Sequence, residues 1–162
     1  MKLKDLLYKV SIVKVIGTTD VEVLNIQFDS RKIVSGGLFI AISGVITDGH
    51  KYIEETILSG AKVIIIDKIP QQLNNSITYV QVENSNEALG IIASNFYNNP
   101  SERIKLIGVT GTNGKTTIVS LLHQLFGLLN VKSGMLSTTH NKINDKVISS
   151  THTTPDALQI NY

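Results

Sequence analysis

A stretch that combines three glycines with a lysine and several threonines is the part of this sequence best suited to chemistry. It reads GVTGTNGKTT and spans residues 108–117. Glycines let the backbone approach a ligand closely, so that successive N–H groups can surround a phosphate. Lys115 adds a mobile positive charge for the β- and γ-phosphates of a nucleotide, and the hydroxyl of Thr116 is suited to bind Mg²⁺. The predicted phosphate-binding loop comprises Gly111, Thr112, Asn113, Gly114, Lys115, Thr116 and Thr117.

The segments on either side of this loop favour a strand before it and a helix after it. Residues 104–107 form a largely apolar run that predicts a buried strand. After the loop, large apolar residues recur at intervals of three and four, which is typical of one face of an amphipathic helix. These residues are Ile118, Leu121, Leu122, Leu125, Phe126 and Leu129. A helix that begins at the loop would direct its unpaired N–H groups and the positive end of its dipole at a phosphate.

The spacing of the glycines departs from the general phosphate-loop pattern G-x-x-x-x-G-K-[ST]. That pattern requires glycine at position 109, where this chain has Val109. An ordinary turn between a strand and a helix, with an exposed lysine, is therefore the alternative to a phosphate site. The three glycines, the sequence KTT and the predicted flanking elements favour the phosphate site.

Length and composition indicate a soluble globular protein. The chain has 162 residues, of which 42% are hydrophobic and 17% are charged, so it can bury a core. The net charge of +2 comes without a dense basic run, which gives no reason to expect a nucleic-acid partner. The absence of cysteine excludes disulfides and thiolate metal sites, and four scattered histidines do not favour a zinc site. The N-terminus is too charged for a signal peptide, and every apolar run is too short to span a bilayer. We therefore expect a cytoplasmic protein without a membrane partner. We also expect the protein to be a monomer.

The order of the predicted elements indicates an α/β fold with two domains. Residues 1–100 are expected to form a small N-terminal α/β domain, and residues 101–162 the beginning of a second domain that carries the phosphate-binding loop. Residues 98–101 read NNPS and end the last helix of the first part, which makes them the best candidate for a linker. Because a phosphate-loop domain needs several further parallel strands, we expect the chain to be the N-terminal portion of a longer enzyme.

Apolar patterns predict strands and helices in alternation within the first part. The predicted strands are 21–28, 38–42, 61–67 and 77–83, and the predicted helices are 2–9, 52–59 with a stop at Gly60, and one from a cap at Asn84 or Ser85 to Phe96. Residues 11–16 are compatible with either type of structure. In the second part, the predictions are a hairpin of strands 133–141 and 146–151 that turns at Asn144 and Asp145, and a helix with Thr154 as cap and Pro155 at its first position.

Several motifs together resemble the Mur ligases, the ATP-dependent amide ligases that build the peptide of peptidoglycan. The loop sequence TGTNGKTT and the preceding FYNNPS at residues 96–101 carry the resemblance. The first part adds DSRK at 29–32, GLFIA at 37–41, Gly44, DGH at 48–50 and GA at 60–61. The sequence HTTPD at 152–156 is similar to the branch that acts on UDP-N-acetylmuramoyl-L-alanyl-D-glutamate and adds the third residue of the stem peptide. The resemblance extends over essentially the whole chain.

The resemblance implies that the loop binds ATP and that the reaction is an amide ligation. Lys115 would act as a catalytic residue on the β- and γ-phosphates, and Thr116 would lie near Mg²⁺. A carboxylate of the UDP-N-acetylmuramoyl dipeptide would become an acyl phosphate, from which the amine of an amino acid, commonly meso-diaminopimelate or lysine, would displace phosphate. The family's modified lysine and further metal ligands follow the position of Tyr162, so we expect this segment to be inactive alone.

The resemblance also implies that residues 1–100 are a substrate-binding domain for the UDP-sugar and that residues 101–162 begin the central, ATP-binding P-loop domain. It further implies which residues bind the sugar nucleotide. Ser30 would contact the UDP end, and Thr153 and Thr154 would contact the muramoyl-peptide portion, with Arg31 and His50 as weaker candidates near UDP. Each residue has a structural alternative, because Ser30 and Thr154 could act as caps, Arg31 could form a surface ion pair, and His50 could be a loop residue held by hydrogen bonds.

Other functions stay open beside the ligase. One is a sister Mur ligase that acts at the tripeptide stage, or a folate or cyanophycin-type relative. Another is a non-catalytic module that binds a UDP-sugar or a nucleotide. A third is a generic P-loop NTPase, in which the sequence DSR at 29–31 would have no functional role. Among the remaining histidines, His123 is expected to be solvated on the polar side of the helix that follows the loop.

Overall fold

The computed structural model describes residues 1–44, 47–148 and 155–162, and these residues fall into two compact units. The first unit comprises Met1–Arg103 with Asn161–Tyr162, and the second comprises Ile104–Ile160. The division lies close to residue 100, where the composition of the sequence predicts a linker. The assignment of residues 1–100 and 101–162 to a substrate-binding and an ATP-binding domain stays a prediction.

A five-stranded sheet forms the centre of the first unit, with the strand order β1-β5-β4-β3-β2. The strands are β1 (Ile12–Ile16), β2 (Ile26–Gln27), β3 (Leu38–Ile40), β4 (Val63–Ile66) and β5 (Thr78–Val82). Strands β2, β3, β4 and β5 pair in parallel, and β1 pairs with β5 in the antiparallel direction. The carboxyl ends of the four parallel strands therefore lie at one edge of the sheet.

Three α-helices accompany this sheet, namely α1 (Leu3–Leu6), α2 (Ile53–Leu58) and α3 (Ser85–Phe96). Asn84 caps α3, because its side chain accepts hydrogen bonds from the first N–H groups of the helix. Helix α2 ends before Gly60, whose φ of +99° lies in the left-handed region that favours glycine. The predicted helices are thus confirmed, although α1 is shorter than its predicted range of 2–9.

Strand β4 lies in the middle of the sheet and is buried on both faces. Every residue of Val63–Ile66 is inaccessible to solvent, which explains the continuous apolar run in the sequence. Phe39 and Tyr79, from the strands on either side, share this core, and the Tyr79 hydroxyl accepts a hydrogen bond from the N–H of Asn74 at 3.2 Å. Burial of one large apolar side chain of this kind stabilises the fold by about 1.5–3 kcal/mol.

The second unit contains a long helix and a small antiparallel sheet. Helix α4 spans Lys115–Leu128, and a short helix, α5, spans Ala157–Asn161. The strands β6 (Gly134–Met135), β7 (Asn141–Ile143) and β8 (Lys146–Ile148) form a sheet in that order. The hairpin between β7 and β8 turns at Asn144, which has a left-handed φ of +49°, so the predicted turn is confirmed.

Three predicted strands differ from the structure. Residues 21–28 contain only the short strand β2, and residues 133–141 are interrupted by a turn in which the Ser137 hydroxyl donates to the carbonyl of His140 at 2.6 Å. Residues 104–107 form no strand, and Leu106 is 83% exposed. No described strand pairs with that segment, so its backbone lacks the hydrogen bonds of a sheet. Its side chains are not packed against other described residues. Of the strand predicted at 146–151, residues 149–151 lie outside the described residues.

Helix α4 confirms the predicted helix, and much of its apolar face is exposed. Its apolar face includes Ile118, Leu121 and Leu125, all of which are exposed, and no residue of the helix is fully buried. The spacing of apolar residues defines the face that a helix can bury. Burial itself needs a packing partner, and the described residues cover this face only in part, at Leu122 and Phe126, which are half-buried.

Candidate phosphate-binding loop and sheet-edge site

The glycine-rich loop leads directly into helix α4. Gly114 precedes the first helical residue, Lys115, and its φ of +77° is left-handed, a conformation that favours glycine. No side chain caps the start of α4, so the first N–H groups of the helix lack a side-chain acceptor. Such N–H groups, together with the positive end of the helix dipole, are suited to bind a phosphate.

Lys115 folds back onto the loop that precedes it. Its Nζ donates to the carbonyl oxygens of Gly111 at 2.5 Å and Thr112 at 3.3 Å. The other loop residues are exposed or half-buried, among them Thr116. The structure therefore brings the lysine and the uncapped helix start together, while their roles in binding ATP, and that of Thr116 in binding Mg²⁺, stay predictions.

Polar residues follow three neighbouring parallel strands of the first unit. Strand β2 is followed by residues 29–31, β3 by Ser43 and, further along the chain, by residues 47–50, and β4 by Asp67. Open parallel sheets bind ligands outside the carboxyl ends of their strands. This edge, which carries Ser30, Arg31 and His50, is therefore the place in the first unit where a small-molecule site is expected.

Asp29 organises the turn that follows β2. Its carboxylate accepts hydrogen bonds from Arg31, from the backbone N–H at 3.2 Å, from Nε at 2.8 Å and from Nη2 at 2.9 Å. The hydrogen bond from the guanidinium holds the pKa of Asp29 below its usual value, against the opposing effect of burial. The ion pair that the sequence leaves open for Arg31 is thus present. Because the Arg31 side chain is largely exposed, this pair contributes little to stability.

The Ser30 side chain does not act as a cap, which was the structural alternative to ligand binding. The side chain of Asp29 caps the 3-10 turn Ser30–Lys32, and no hydrogen bond within the described residues involves the Ser30 hydroxyl. A half-buried hydroxyl without an internal partner is available to a ligand. The contact of Ser30 with UDP stays a prediction.

Asp48 and His50 organise the loop that follows β3. Asp48 Oδ1 accepts hydrogen bonds from the backbone N–H of His50 at 3.1 Å, from its Nδ1 at 2.7 Å and from Ser43 Oγ at 3.4 Å. The bonds from His50, with the backbone N–H first, lower the pKa of Asp48. The second ring nitrogen, Nε2, lies 3.0 Å from Asp67 Oδ1. His50 is therefore held by its loop, as predicted from the sequence, whereas a direct binding role stays a prediction.

The two threonines predicted to bind the muramoyl-peptide portion, Thr153 and Thr154, lie outside the described residues. Helix α5 begins at Ala157, and the carboxylate of Asp156 accepts a hydrogen bond from the N–H of Gln159 at 2.8 Å. The predicted cap at Thr154 lies outside the described residues, and Pro155, predicted at the first helical position, precedes the helix. Asp156 is the residue whose side chain reaches the free N–H groups of the first turn.

His123 is bonded within the second unit rather than solvated, so that prediction is wrong. Its Nε2 lies 3.0 Å from the carbonyl oxygen of Asn144, and its Nδ1 lies 2.8 Å from Ser133 Oγ. A carbonyl only accepts, so Nε2 carries the hydrogen and Nδ1 accepts from the serine hydroxyl. Ser133 and Asn144 are 10 and 21 residues away in sequence, and no local pattern signals these contacts.

Neither a metal cluster nor a membrane span is found in the described part of the chain. Residues 1–44, 47–148 and 155–162 contain no group of three or more His, Cys, Asp or Glu side chains that could hold a metal ion. No helix within these ranges is long and apolar enough to cross a bilayer.

Comparison with known families defines the class of protein. Residues 22–97 match the family described as "Mur ligase family, catalytic domain", and residues 109–162 match the "Mur ligase middle domain". The first match includes the loops at the sheet edge, and the second includes the phosphate-binding loop from Gly111 onwards. The chain belongs to the Mur ligase family.

Individual relatives are similar along the whole of this chain. The UDP-N-acetylmuramoyl-L-alanyl-D-glutamate--2,6-diaminopimelate ligase of Cytophaga hutchinsonii is 53% identical over 162 residues, which cover 99% of this chain and 33% of that protein. The ligase of the same name from Bacteroides fragilis is 45% identical over 161 residues, with coverage of 99% and 33%. The chain thus spans about a third of the length of the curated relatives that it matches.

Solved structures of Mur ligases share the fold. MurF from Acinetobacter baumannii has a TM-score of 0.56 and 24% identity, over 79% of this chain and 28% of that one. MurF ligase from Thermotoga maritima, solved in complex with ADP, has a TM-score of 0.50 and 28% identity, over 67% of this chain and 24% of that one. The predicted α/β fold class is confirmed by these likenesses and by the mixed sheet of the first unit.

Proposed function

We propose that this chain is the N-terminal portion of an ATP-dependent amide ligase that adds the third amino acid to UDP-N-acetylmuramoyl-L-alanyl-D-glutamate during peptidoglycan synthesis. The observation that carries the proposal is the 53% identity over 162 residues to a ligase named for that substrate and for 2,6-diaminopimelate. The same name supports diaminopimelate as the incoming amino acid. A sister ligase of the next stage has weaker support, since the Acinetobacter baumannii ligase of that stage is 24% identical.

In this proposal, the start of α4 and Lys115 bind the phosphates of ATP. The left-handed Gly114 and the uncapped N–H groups of α4 form a cradle for the β- and γ-phosphates. Lys115 exchanges its hydrogen bonds to loop carbonyls for stronger, charge-assisted bonds to phosphate oxygens. Thr116 contributes a hydroxyl to Mg²⁺, which would neutralise phosphate charge. The ADP bound to the Thermotoga maritima relative supports a nucleotide at this loop.

The proposed reaction has two steps. Transfer of the γ-phosphoryl group to a carboxylate oxygen of the UDP-muramoyl dipeptide releases ADP and forms an acyl phosphate. The amine of diaminopimelate then attacks the carbonyl carbon, the bond from that carbon to the phosphate oxygen breaks, and the nitrogen loses a proton as phosphate leaves. Lys115 and the N–H groups of α4 stabilise the charge that develops in the first step. Thr153 and Thr154 would bind the muramoyl-peptide portion.

The UDP end of the substrate binds, in this proposal, at the carboxyl edge of the sheet in the first unit. Ser30 offers a hydroxyl that has no internal partner among the described residues, and Arg31 offers an exposed guanidinium whose orientation is set by Asp29. A guanidinium is suited to the oxygens of a diphosphate. We further propose that the protein acts in the cytoplasm, where ATP and UDP-linked precursors are made, and that it is a monomer.

Calorimetry with UDP and with Mg-ATP tests these assignments. We expect Ser30→Ala to weaken UDP binding by about fivefold to tenfold, the effect of one lost hydrogen bond, and to leave Mg-ATP binding unchanged. Ser35→Ala is the matched control, because Ser35 precedes β3 and lies at the opposite edge of the sheet. Absence of UDP binding contradicts the proposal, and Mg-ATP binding alone would favour a generic P-loop NTPase. Binding of both ligands without turnover by the complete gene product would favour a non-catalytic module.

A further inference from the structure

An asparagine followed directly by glycine occurs once in the sequence, at Asn113 and Gly114 in the middle of the phosphate-binding loop. Both residues are exposed, and nothing lies within 4 Å of a Cβ built at Gly114. Within the described residues, neither the side-chain amide of Asn113 nor the backbone N–H of Gly114 has a hydrogen bond. The amide and the backbone nitrogen that follows it are therefore both accessible and unrestrained.

An asparagine side chain in this position can form a cyclic imide with the backbone. The nitrogen of Gly114 attacks Cγ of Asn113 and loses its proton, the bond from Cγ to Nδ2 breaks, and Nδ2 leaves as ammonia with that proton. Water then adds to one of the two carbonyl carbons of the imide, and the ring opens to an aspartyl or an isoaspartyl residue at position 113. Glycine favours the attack, because no Cβ obstructs its nitrogen.

Two asparagines followed by serine show how the fold restrains the same chemistry elsewhere. The side-chain oxygen of Asn84 accepts hydrogen bonds at 2.9 and 3.2 Å from the first N–H groups of α3, and Ser85 is only 2% exposed. In the second pair, Asn75 and Ser76, the serine N–H donates to Asn74 Oδ1 at 3.0 Å. Each pair has to break these hydrogen bonds before its nitrogen can attack, so each reacts only when its local structure opens.

A carboxylate at position 113 would change the charge of the phosphate-binding loop. Lys115 is the only charged residue in the stretch 108–117, so one new carboxylate cancels the formal charge of that stretch. The Lys115 ammonium already contacts the carbonyl of Thr112, the residue before position 113. A carboxylate there would attract the lysine and repel phosphate. The isoaspartyl product also adds a carbon to the backbone, which displaces the N–H groups of the loop.

We propose that Asn113 is a site of spontaneous deamidation, at which the empty loop loses its capacity to bind phosphate. A nucleotide held by the N–H groups at the start of α4 engages the nitrogen of Gly114 and keeps it from attacking the amide. The occupied loop therefore keeps its asparagine, and only the empty loop reacts. The protection by nucleotide rests on the proposed function, whereas the reaction of Asn113 with Gly114 does not.

Peptide mapping by mass spectrometry tests the reaction without any ligand. During incubation of the unaltered protein at mildly alkaline pH, the peptide with position 113 should gain the mass that separates an acid from an amide and resolve into aspartyl and isoaspartyl forms. The peptides with Asn84 and Asn75 are internal controls and should react at least about tenfold more slowly, since their local structure must open first. Asn113→Gln, with one more methylene in the side chain, should suppress the reaction. Equal rates at Asn113 and Asn84, or an intact Asn113, would overturn the proposal.

Mg-ATP tests the link between the reaction and the phosphate site. At about ten times its dissociation constant, Mg-ATP should slow the reaction of Asn113 about tenfold, because only the empty fraction of the protein reacts. The same concentration of Mg²⁺ alone is the control and should leave the rate unchanged. Mg-ATP that binds without slowing the reaction would overturn the proposed protection.

Calorimetry with Mg-ATP tests the effect of the product on binding. We expect Asn113→Asp, which has the shape of the original side chain and the charge of the product, to weaken Mg-ATP binding at least about tenfold. Asn75→Asp, the matched change of an exposed asparagine outside the loop, should leave binding unchanged. Unchanged binding by Asn113→Asp would overturn the proposed loss of phosphate binding. Absence of Mg-ATP binding by the unaltered protein would contradict the proposed function, and the peptide maps would then decide the reaction of Asn113 by themselves.

Discussion

The two units contain equally clear apolar patterns, but only the first unit buries them. Val63–Ile66 in β4 has no exposure to solvent, whereas residues 104–107 and most of the apolar face of α4, including Ile118, Leu121 and Leu125, are exposed. Strand β4 pairs with β3 and β5, and Ile53 of α2 belongs to the same core. The described residues supply no strand partner for 104–107. A sequence pattern therefore specifies which face a segment can bury, and its neighbours determine whether that face is buried.

The candidate sites differ in a related way. At the sheet edge of the first unit, side chains hold one another, as in the contacts of Asp29 with Arg31 and of His50 with Asp48 and Asp67. In the glycine-rich loop of the second unit, the helix start is uncapped and Lys115 contacts only backbone carbonyls. The first site is organised before a ligand arrives, which lowers the entropic cost of binding. The second site is organised by the backbone, and in the proposed function a phosphate would complete it.

Truncation of a buried residue in β4 should have the largest effect of the changes considered. Ile64→Ala removes a fully buried side chain and leaves a cavity, so we expect the free energy of unfolding to fall by about 2–5 kcal/mol. Leu121→Ala is the matched change in α4, where the side chain is 59% exposed. We expect a change of about 0.5 kcal/mol or less there. Urea denaturation followed by circular dichroism measures both, and equal losses would show that the contrast between the units does not hold.

Loss of Lys115 should have the second-largest effect, and this effect should be on ATP binding rather than on stability. We expect Lys115→Ala to weaken Mg-ATP binding by about tenfold to a hundredfold, because the bound phosphates would lose a charge-assisted partner. The midpoint of thermal unfolding should stay unchanged, since Lys115 contacts only loop carbonyls in the structure. Lys105→Ala, which removes an exposed lysine outside the loop, is the control in calorimetry. Unchanged ATP binding by Lys115→Ala would favour the ordinary turn over the phosphate site.

Local signals in the sequence predicted the parts of the fold that depend on local interactions. The cap at Asn84, the stop at Gly60 and the turn at Asn144 each rest on hydrogen bonds or backbone conformations within a few residues. The exposure of 104–107 and the short length of β2 depend on which strands lie alongside them, and a pattern within one segment does not contain that information. The predictions of a buried strand at 104–107 and of a full-length strand at 21–28 were wrong for this reason.

The predictions for the candidate sites show the same distinction between local and long-range contacts. The glycine-rich loop was predicted because its residues are contiguous, and its position at the start of α4 is confirmed. The contact of His50 with Asp67 and the bonds of His123 to Ser133 and Asn144 were missed, because they join segments that are distant in sequence. Only the pairing of parallel strands or the packing of a helix on a hairpin brings such residues together.

Glycine substitutions inside the two long helices give a smaller and more selective test. Nothing lies within 4 Å of a Cβ built at Gly90 in α3 or at Gly127 in α4. We expect Gly90→Ala and Gly127→Ala each to stabilise its helix by about 0.5–1 kcal/mol, because alanine loses less backbone entropy. Native-state hydrogen exchange should show the gain along α3 for the first variant and along α4 for the second. Gly49→Ala, where the Cβ would meet backbone at 2.7 Å, is the contrasting variant and should destabilise.

The smallest expected effect is a pH dependence at the sheet edge of the first unit. The pKa of Asp29 is lowered on folding by the hydrogen bond from Arg31, so the unfolded chain binds the proton more tightly than the folded one. The contribution of Asp29 to stability is therefore present above its ordinary value of about 3.8 and is lost as the pH falls through the lower folded value. Asp29→Asn keeps a capping oxygen and removes the charge. Hydrogen exchange near β2 should distinguish this variant from the unaltered protein at neutral pH, and the difference should shrink in acid. Helix α4 contains no Asp or Glu and serves as the internal control, since its exchange rates should not differ between the two proteins. If the difference in exchange near β2 persists unchanged at low pH, the effect does not come from the Asp29 charge.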